Sequence, residues 1–83
     1  MSFLSFLLNF SLGMDAYYND AYSKALSHFE KLPSLGPKDE ATLEYLRKVE
    51  QTCDRICVEL KEEKRLKTYL AACSIADEIK KML

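Results

Sequence analysis

The residues best suited to chemistry are three cysteines and a single histidine. Cys53 and Cys57 are one helical turn apart, and Cys73 and His28 could complete a set of three thiolates and one imidazole around zinc. Structural zinc sites usually hold their paired ligands on short loops, whereas Cys53 belongs to an apolar helical stripe. Reduced cysteine also packs well as a small apolar side chain. We therefore expect no metal site and no cofactor.

Catalysis by one of these thiols would need a base within reach and a pocket for the substrate. His28 is the one histidine, and with two glycines the chain has no Gly-rich loop to cradle a phosphate or an oxyanion. Adjacent acids such as Asp39 and Glu40 point in different directions on a helix, which is typical of a solvated face. The sequence thus predicts that the protein is not an enzyme and has no small-molecule substrate.

Composition sets broad limits on the fold and its partners. The chain has 83 residues, of which 48% are hydrophobic and 30% charged, so we expect one folded domain over residues 1–83. The net charge of −1 supplies no field to attract nucleic acid. An odd number of cysteines, without the look of a disulfide scaffold, favours a reducing compartment. We expect a cytoplasmic protein that does not bind nucleic acid.

The start of the chain is strongly apolar and uncharged. From Met1 to Met14 there is no ionisable side chain. The large apolar residues of this run are Phe3, Leu4, Phe6, Leu7, Leu8, Phe10 and Leu12. The run is shorter than the roughly 20 residues needed to cross a bilayer, and it lacks the Lys or Arg typical of a helix on a membrane surface. The sequence leaves open whether this run is core or interface, and we favour an interface with another protein or with a second copy of this chain.

Breaks in the pattern divide the chain into helices. The clearest break is 33–37, which holds both prolines, and Gly13 followed by Asp15 as an N-cap indicates another. These signals predict an all-α fold of three to four helices in an antiparallel hairpin or bundle. The expected helices cover approximately residues 3–12, 15–32, 37–61 and 66–82, with a turn near 62–65. No segment alternates with the period of a strand.

The third of these helices carries a narrow apolar stripe. Its residues recur at alternating steps of three and four, the spacing of a coiled-coil seam. The stripe comprises Leu46, Val49, Cys53, Ile56 and Leu60.

Residues in the first half resemble a tetratricopeptide repeat, a helix-turn-helix unit of 34 residues. The matching positions are Leu12, Gly13, Tyr22, Ala25, Phe29 and Pro37. The match covers one repeat and half of the next at most. The resemblance implies a scaffold that binds proteins, such as an adaptor or a small chaperone.

Two functional hypotheses follow. In the first, the chain is a non-enzymatic protein-interaction module, an adaptor or chaperone-like subunit that covers an apolar helix of a partner. Its expected contact residues are Phe3, Phe6, Leu7, Phe10, Tyr18, Tyr22 and Phe29. In the second, the chain is a structural subunit of a homo-oligomer, and the stripe from Leu46 to Leu60 is the oligomer seam.

Overall fold

A computed structural model of the chain describes residues 3–35, 39–61 and 65–83. Four α-helices are present there: α1 (Phe3–Tyr18), α2 (Tyr22–Phe29), α3 (Glu40–Lys61) and α4 (Leu66–Met82). A short 3-10 helix, Pro33–Leu35, follows α2. The described residues contain no strand, and the predicted all-α class is confirmed.

The helices pair as α1 with α2 and α3 with α4, since the most extensive contacts are made within these pairs. Each pair forms an antiparallel hairpin. Across the second pair, Lys80 Nζ lies 3.6 Å from Glu50 Oε1 and 3.7 Å from Asp54 Oδ1. Nearer the connection, Cys57 Sγ lies 3.0 Å from Cys73 Sγ. The chain therefore runs in opposite directions along α3 and α4. The turn that the sequence predicts near 62–65 falls largely on residues 62–64, which lie outside the described residues.

The expected break at Gly13 is absent, and α1 runs unbroken through Asp15 to Tyr18. Gly13 is needed for a different reason, because a Cβ added there would lie 2.4 Å from Phe29 Cε1. The glycine thus lets the Phe29 ring pack directly on the backbone of α1. It marks close packing of two helices and not the end of one.

The first two helices are separated at Asn19–Ala21. Asp20 has φ of 61°, the left-handed conformation that often ends a helix. Its N–H donates to Tyr17 O at 3.0 Å, and the N–H of Ala21 donates to Ala16 O at 2.9 Å. This is the hydrogen-bond pattern of a Schellman motif. The expected helix over 15–32 is therefore wrong at both ends, since α2 starts at Tyr22 and ends at Phe29.

A side-chain cap sets the start of α3. Asp39 Oδ1 accepts hydrogen bonds from Thr42 N at 2.9 Å and from Thr42 Oγ1 at 3.0 Å. These bonds satisfy one of the free N–H groups of the first turn. The helix thus begins at Glu40, three residues later than expected. Pro37, the expected start, lies outside the described residues.

The core lies where the two hairpins meet. Its largest fully buried side chains are Phe6, Phe29, Leu32, Leu46, Val49, Cys53, Ile56, Leu60 and Ile79. The whole stripe of α3, proposed from the sequence as an oligomer seam, is at most 1% exposed within the single chain. Its spacing is that of an internal helix face, and it leaves no surface for a second copy.

Candidate functional site

The outward side of α1 is the most apolar exposed surface that the structure describes on one helix. Phe3 is 49% exposed, Leu4 75%, Leu8 59% and Leu12 42%. We call these four side chains the leucine face. Its three leucines are spaced four residues apart, so they form a single ridge along the helix. The largest apolar patch on a protein surface is often a contact site.

The inner side of the same helix is firmly packed. The rings of Phe6 and Phe10 approach the ring of Tyr45 on α3, with centroid separations of 6.3 Å and 4.8 Å. Farther along, Thr52 Oγ1 lies 3.7 Å from Met14 Sδ. With the Phe29 ring on Gly13, these contacts hold α1 against both neighbouring helices. The leucine face is therefore presented by a fixed helix.

The leucine face is also uncharged. The ionisable residue nearest to it along α1 is Asp15, about one turn beyond Leu12. Asn9 makes its polar contacts with the protein itself: its Nδ2 donates to Ser5 O at 3.0 Å, and its Oδ1 lies 3.2 Å from His28 Nδ1. Ser11 and Asp15 are the exposed polar residues on this side of α1, so an occupant would meet the apolar ridge with a hydroxyl beside it and a carboxylate at its end.

The contact residues expected from the sequence fall into three groups. Phe6 is 1% exposed and Phe29 is fully buried, so neither has surface with which to contact a partner. Their regular spacing is explained by the core. Phe3 and Tyr18 are exposed. Leu7, Phe10 and Tyr22 are half-buried.

Sequence reasoning passed over Leu4, Leu8 and Leu12 as contact residues. It favoured aromatic side chains, and the aromatic residues at positions 6 and 10 turn inward. The signal that could have found the leucines is their strict spacing of four, which places them on one side of a helix.

Tyr22 links the two hairpins. The Tyr22 hydroxyl donates to the Glu59 carboxylate on α3, and this hydrogen bond is the main cause that raises the pKa of Tyr22 above its ordinary value. The rings of Tyr17 and Tyr22 stack with centroids 5.8 Å apart. Tyr22 thus joins α2 to α3 and has a structural role.

The three cysteines lie on α3 and α4 and are free thiols. Cys57 and Cys73 contact each other, Cys53 is buried, and His28 is engaged with Asn9 on α1. Among the described residues, no group of three or more His, Cys, Asp or Glu side chains is placed to hold a metal ion. Burial raises the pKa of both Cys53 and Cys57 to about 12, which opposes their use as nucleophiles.

None of the described helices has both the length and the apolar character required to span a bilayer. Comparison with known protein families, with curated proteins and with solved structures finds no match to this chain.

Proposed function

We propose that this chain is a non-enzymatic protein-interaction module, a small adaptor or chaperone-like subunit that binds an apolar helix of another protein. The observation that carries the proposal is the leucine face: four large apolar side chains stand exposed on a helix whose other side is fixed in the core. Exposure of this kind is costly in water, and burial against a partner removes that cost.

The shape of the face favours a helical occupant. A ridge of side chains spaced four residues apart packs into the groove between ridges on another helix. From Leu4 to Leu12 the ridge extends over about 12 Å at 1.5 Å per residue, which matches two turns of a partner helix. The partner surface that fits is therefore the apolar side of an amphipathic helix.

The size of the face favours a separate partner over a second copy. A stable dimer typically buries about 800 Å² on each subunit. Four partly exposed side chains supply a patch of a few hundred Å². Such a patch suits a client segment that is held reversibly.

Two features support the resemblance to a tetratricopeptide repeat as part of this proposal. The chain forms two successive helical hairpins, and the contacts Tyr22–Glu59 and Met14–Thr52 join positions 37 and 38 residues apart. Such offsets are near the 34-residue period of that repeat. A stacked pair of hairpins is a common scaffold for binding helical segments of other proteins.

Methyl-resolved NMR on the full chain tests the proposal. The probe is a synthetic amphipathic helical peptide with leucine on one side and glutamine and lysine on the other. We expect the methyl signals of Leu4, Leu8 and Leu12 to shift on titration. Those of Leu66 and Leu70, which are also exposed but lie on α4, should stay in place. Shifts confined to α4, or none at all, would overturn the proposal.

Light scattering on the same sample tests the choice of occupant. We expect a monomer at the micromolar concentrations of the binding experiment. A stable dimer that dissociates when Leu8 is replaced by lysine would show that a second copy covers the leucine face.

A further inference from the structure

We propose that Cys57 and Cys73 form a reversible disulfide that links α3 to α4, with a low-molecular-weight disulfide such as oxidised glutathione as the oxidant. The two Sγ atoms lie 3.0 Å apart, on neighbouring helices, at positions separated by 16 residues. A disulfide bond is about 2.0 Å long, so the sulfur atoms need to approach by only about 1 Å.

Neighbouring contacts keep the two cysteines opposite each other. About two turns away along α4, Lys80 lies within 3.7 Å of both Glu50 and Asp54 on α3. Close to the pair, the Cys57 thiol also lies 3.9 Å from Tyr69 O. The alignment of the two helices thus places the two sulfur atoms 3.0 Å apart.

Cys57 and Cys73 differ from Cys53 in their exposure to solvent. Cys57 and Cys73 are half-buried, so a small molecule in solution has partial access to both residues. Cys53, one turn before Cys57 on α3, is fully buried in the core. The structure therefore predicts one product among the three possible pairings of these cysteines.

The reaction is a pair of thiol–disulfide exchanges. One protein thiolate attacks a sulfur of the oxidant and forms a mixed disulfide, with release of one small thiolate. The second protein thiolate then attacks the mixed disulfide at the protein sulfur and releases the other small thiolate. The two protons lost by the cysteines protonate the two released thiolates. Two protein thiols are thus oxidised to one disulfide, and one small disulfide is reduced to two thiols.

Burial, together with the hydrogen bond to Cys73, raises the pKa of Cys57 to about 12. Because the thiolate is the attacking species, attack by Cys57 is slow near neutral pH. Where Cys57 is the attacking thiol, the rate of the first exchange should rise roughly tenfold for each pH unit, as long as the pH is well below the pKa of Cys57.

The expected effect of the bond is on stability. A chain of this size has a small core, and a cross-link that closes a loop of this length restricts the unfolded chain considerably. We expect the oxidised form to unfold at a midpoint about 15 °C above that of the reduced form.

The test is incubation of the full chain in glutathione buffers of graded oxidation, followed by intact mass and peptide mapping. We expect the chain to lose the mass of two hydrogen atoms and to yield one cross-linked peptide pair containing Cys57 and Cys73. Retention of three free thiols throughout, stable glutathione adducts on both residues, or a bond to Cys53 would overturn the proposal.

Single variants complete the test. Cys57→Ser and Cys73→Ser should each accept one glutathione at the remaining cysteine and show no oxidative rise in thermal midpoint. Cys53→Ala should still form the bond, because its sulfur takes no part. Circular dichroism of the reduced variants confirms that each is folded, and Cys57→Ala and Cys73→Ala replace any serine variant that is not. A rise in thermal midpoint that persists without Cys73 would contradict the assignment.

Discussion

Gly13 lies beneath the ring of Phe29, where a Cβ would be 2.4 Å from Cε1 and 2.6 Å from Cδ1. Phe29 is fully buried, so its ring is enclosed by other core residues. Alanine is favoured over glycine inside a helix by about 1 kcal/mol, yet overpacking of a core costs about 1–3 kcal/mol. We expect Gly13→Ala to lower the thermal midpoint by several degrees, measured by circular dichroism.

A double-mutant cycle separates this contact from general effects on α1. Phe29→Leu removes the ring atoms that the new Cβ would meet, at the cost of a cavity. The double variant should be no less stable than Phe29→Leu alone. Additive losses would show that Gly13 is needed for some reason other than the ring.

Asp20 is the second position where backbone geometry predicts a result. Its φ of 61° is unfavourable for a residue with a side chain and is adopted readily by glycine. We expect Asp20→Gly to raise the thermal midpoint by a few degrees, even though the 3.4 Å contact between Asp20 Oδ1 and the Tyr22 hydroxyl oxygen is lost. Asp20→Ala is the matched control, and it should not be stabilising. Equal midpoints for the two variants would contradict this interpretation of the turn.

The capping carboxyl of Asp39 should make the stability of the fold depend on pH. Hydrogen bonds from Thr42 lower the pKa of the Asp39 carboxyl below its ordinary value of 3.8. A carboxyl with a lowered pKa in the folded state contributes stability that is fully present above the ordinary value and is lost as pH falls through the folded one. The cap of α3 should therefore weaken below about pH 4.

Thermal melts of the wild type and of Asp39→Asn across this pH range check the prediction. Asparagine is also a good N-cap but does not titrate. Relative to the variant, the wild type should lose stability as the pH falls from about 5 to about 2. A constant difference would mean that the cap does not sense the charge.

Some of this fold follows from local sequence patterns. The apolar stripe of α3 and the break before that helix are encoded by the spacing of nearby residues, so both could be predicted. The role of Gly13 could not be predicted, because the neighbouring sequence does not distinguish a glycine packed inside a helix from a glycine that follows the end of a helix. Asp20 also gave no clear signal, since the left-handed position it occupies is usually held by glycine.

The candidate site was predicted only in outline. An uncharged run at the start of the chain indicates a covered surface, whichever residues meet the partner. The side that faces outward depends on tertiary contacts, here the aromatic contacts of Phe6 and Phe10 with Tyr45. Those contacts turn the aromatic side chains inward and leave the leucines outside.

The central claim is that the leucine face binds an apolar helix, and fluorescence anisotropy with the labelled amphipathic peptide tests it most directly. Burial of one leucine contributes about 1.5–3 kcal/mol, so Leu8→Lys should weaken binding by tenfold or more. Leu70→Lys is the matched control, because Leu70 is 56% exposed on α4, outside the leucine face. We expect its affinity to stay within about twofold of the wild type. Equal losses in the two variants, or no peptide binding by the wild type, would contradict the account.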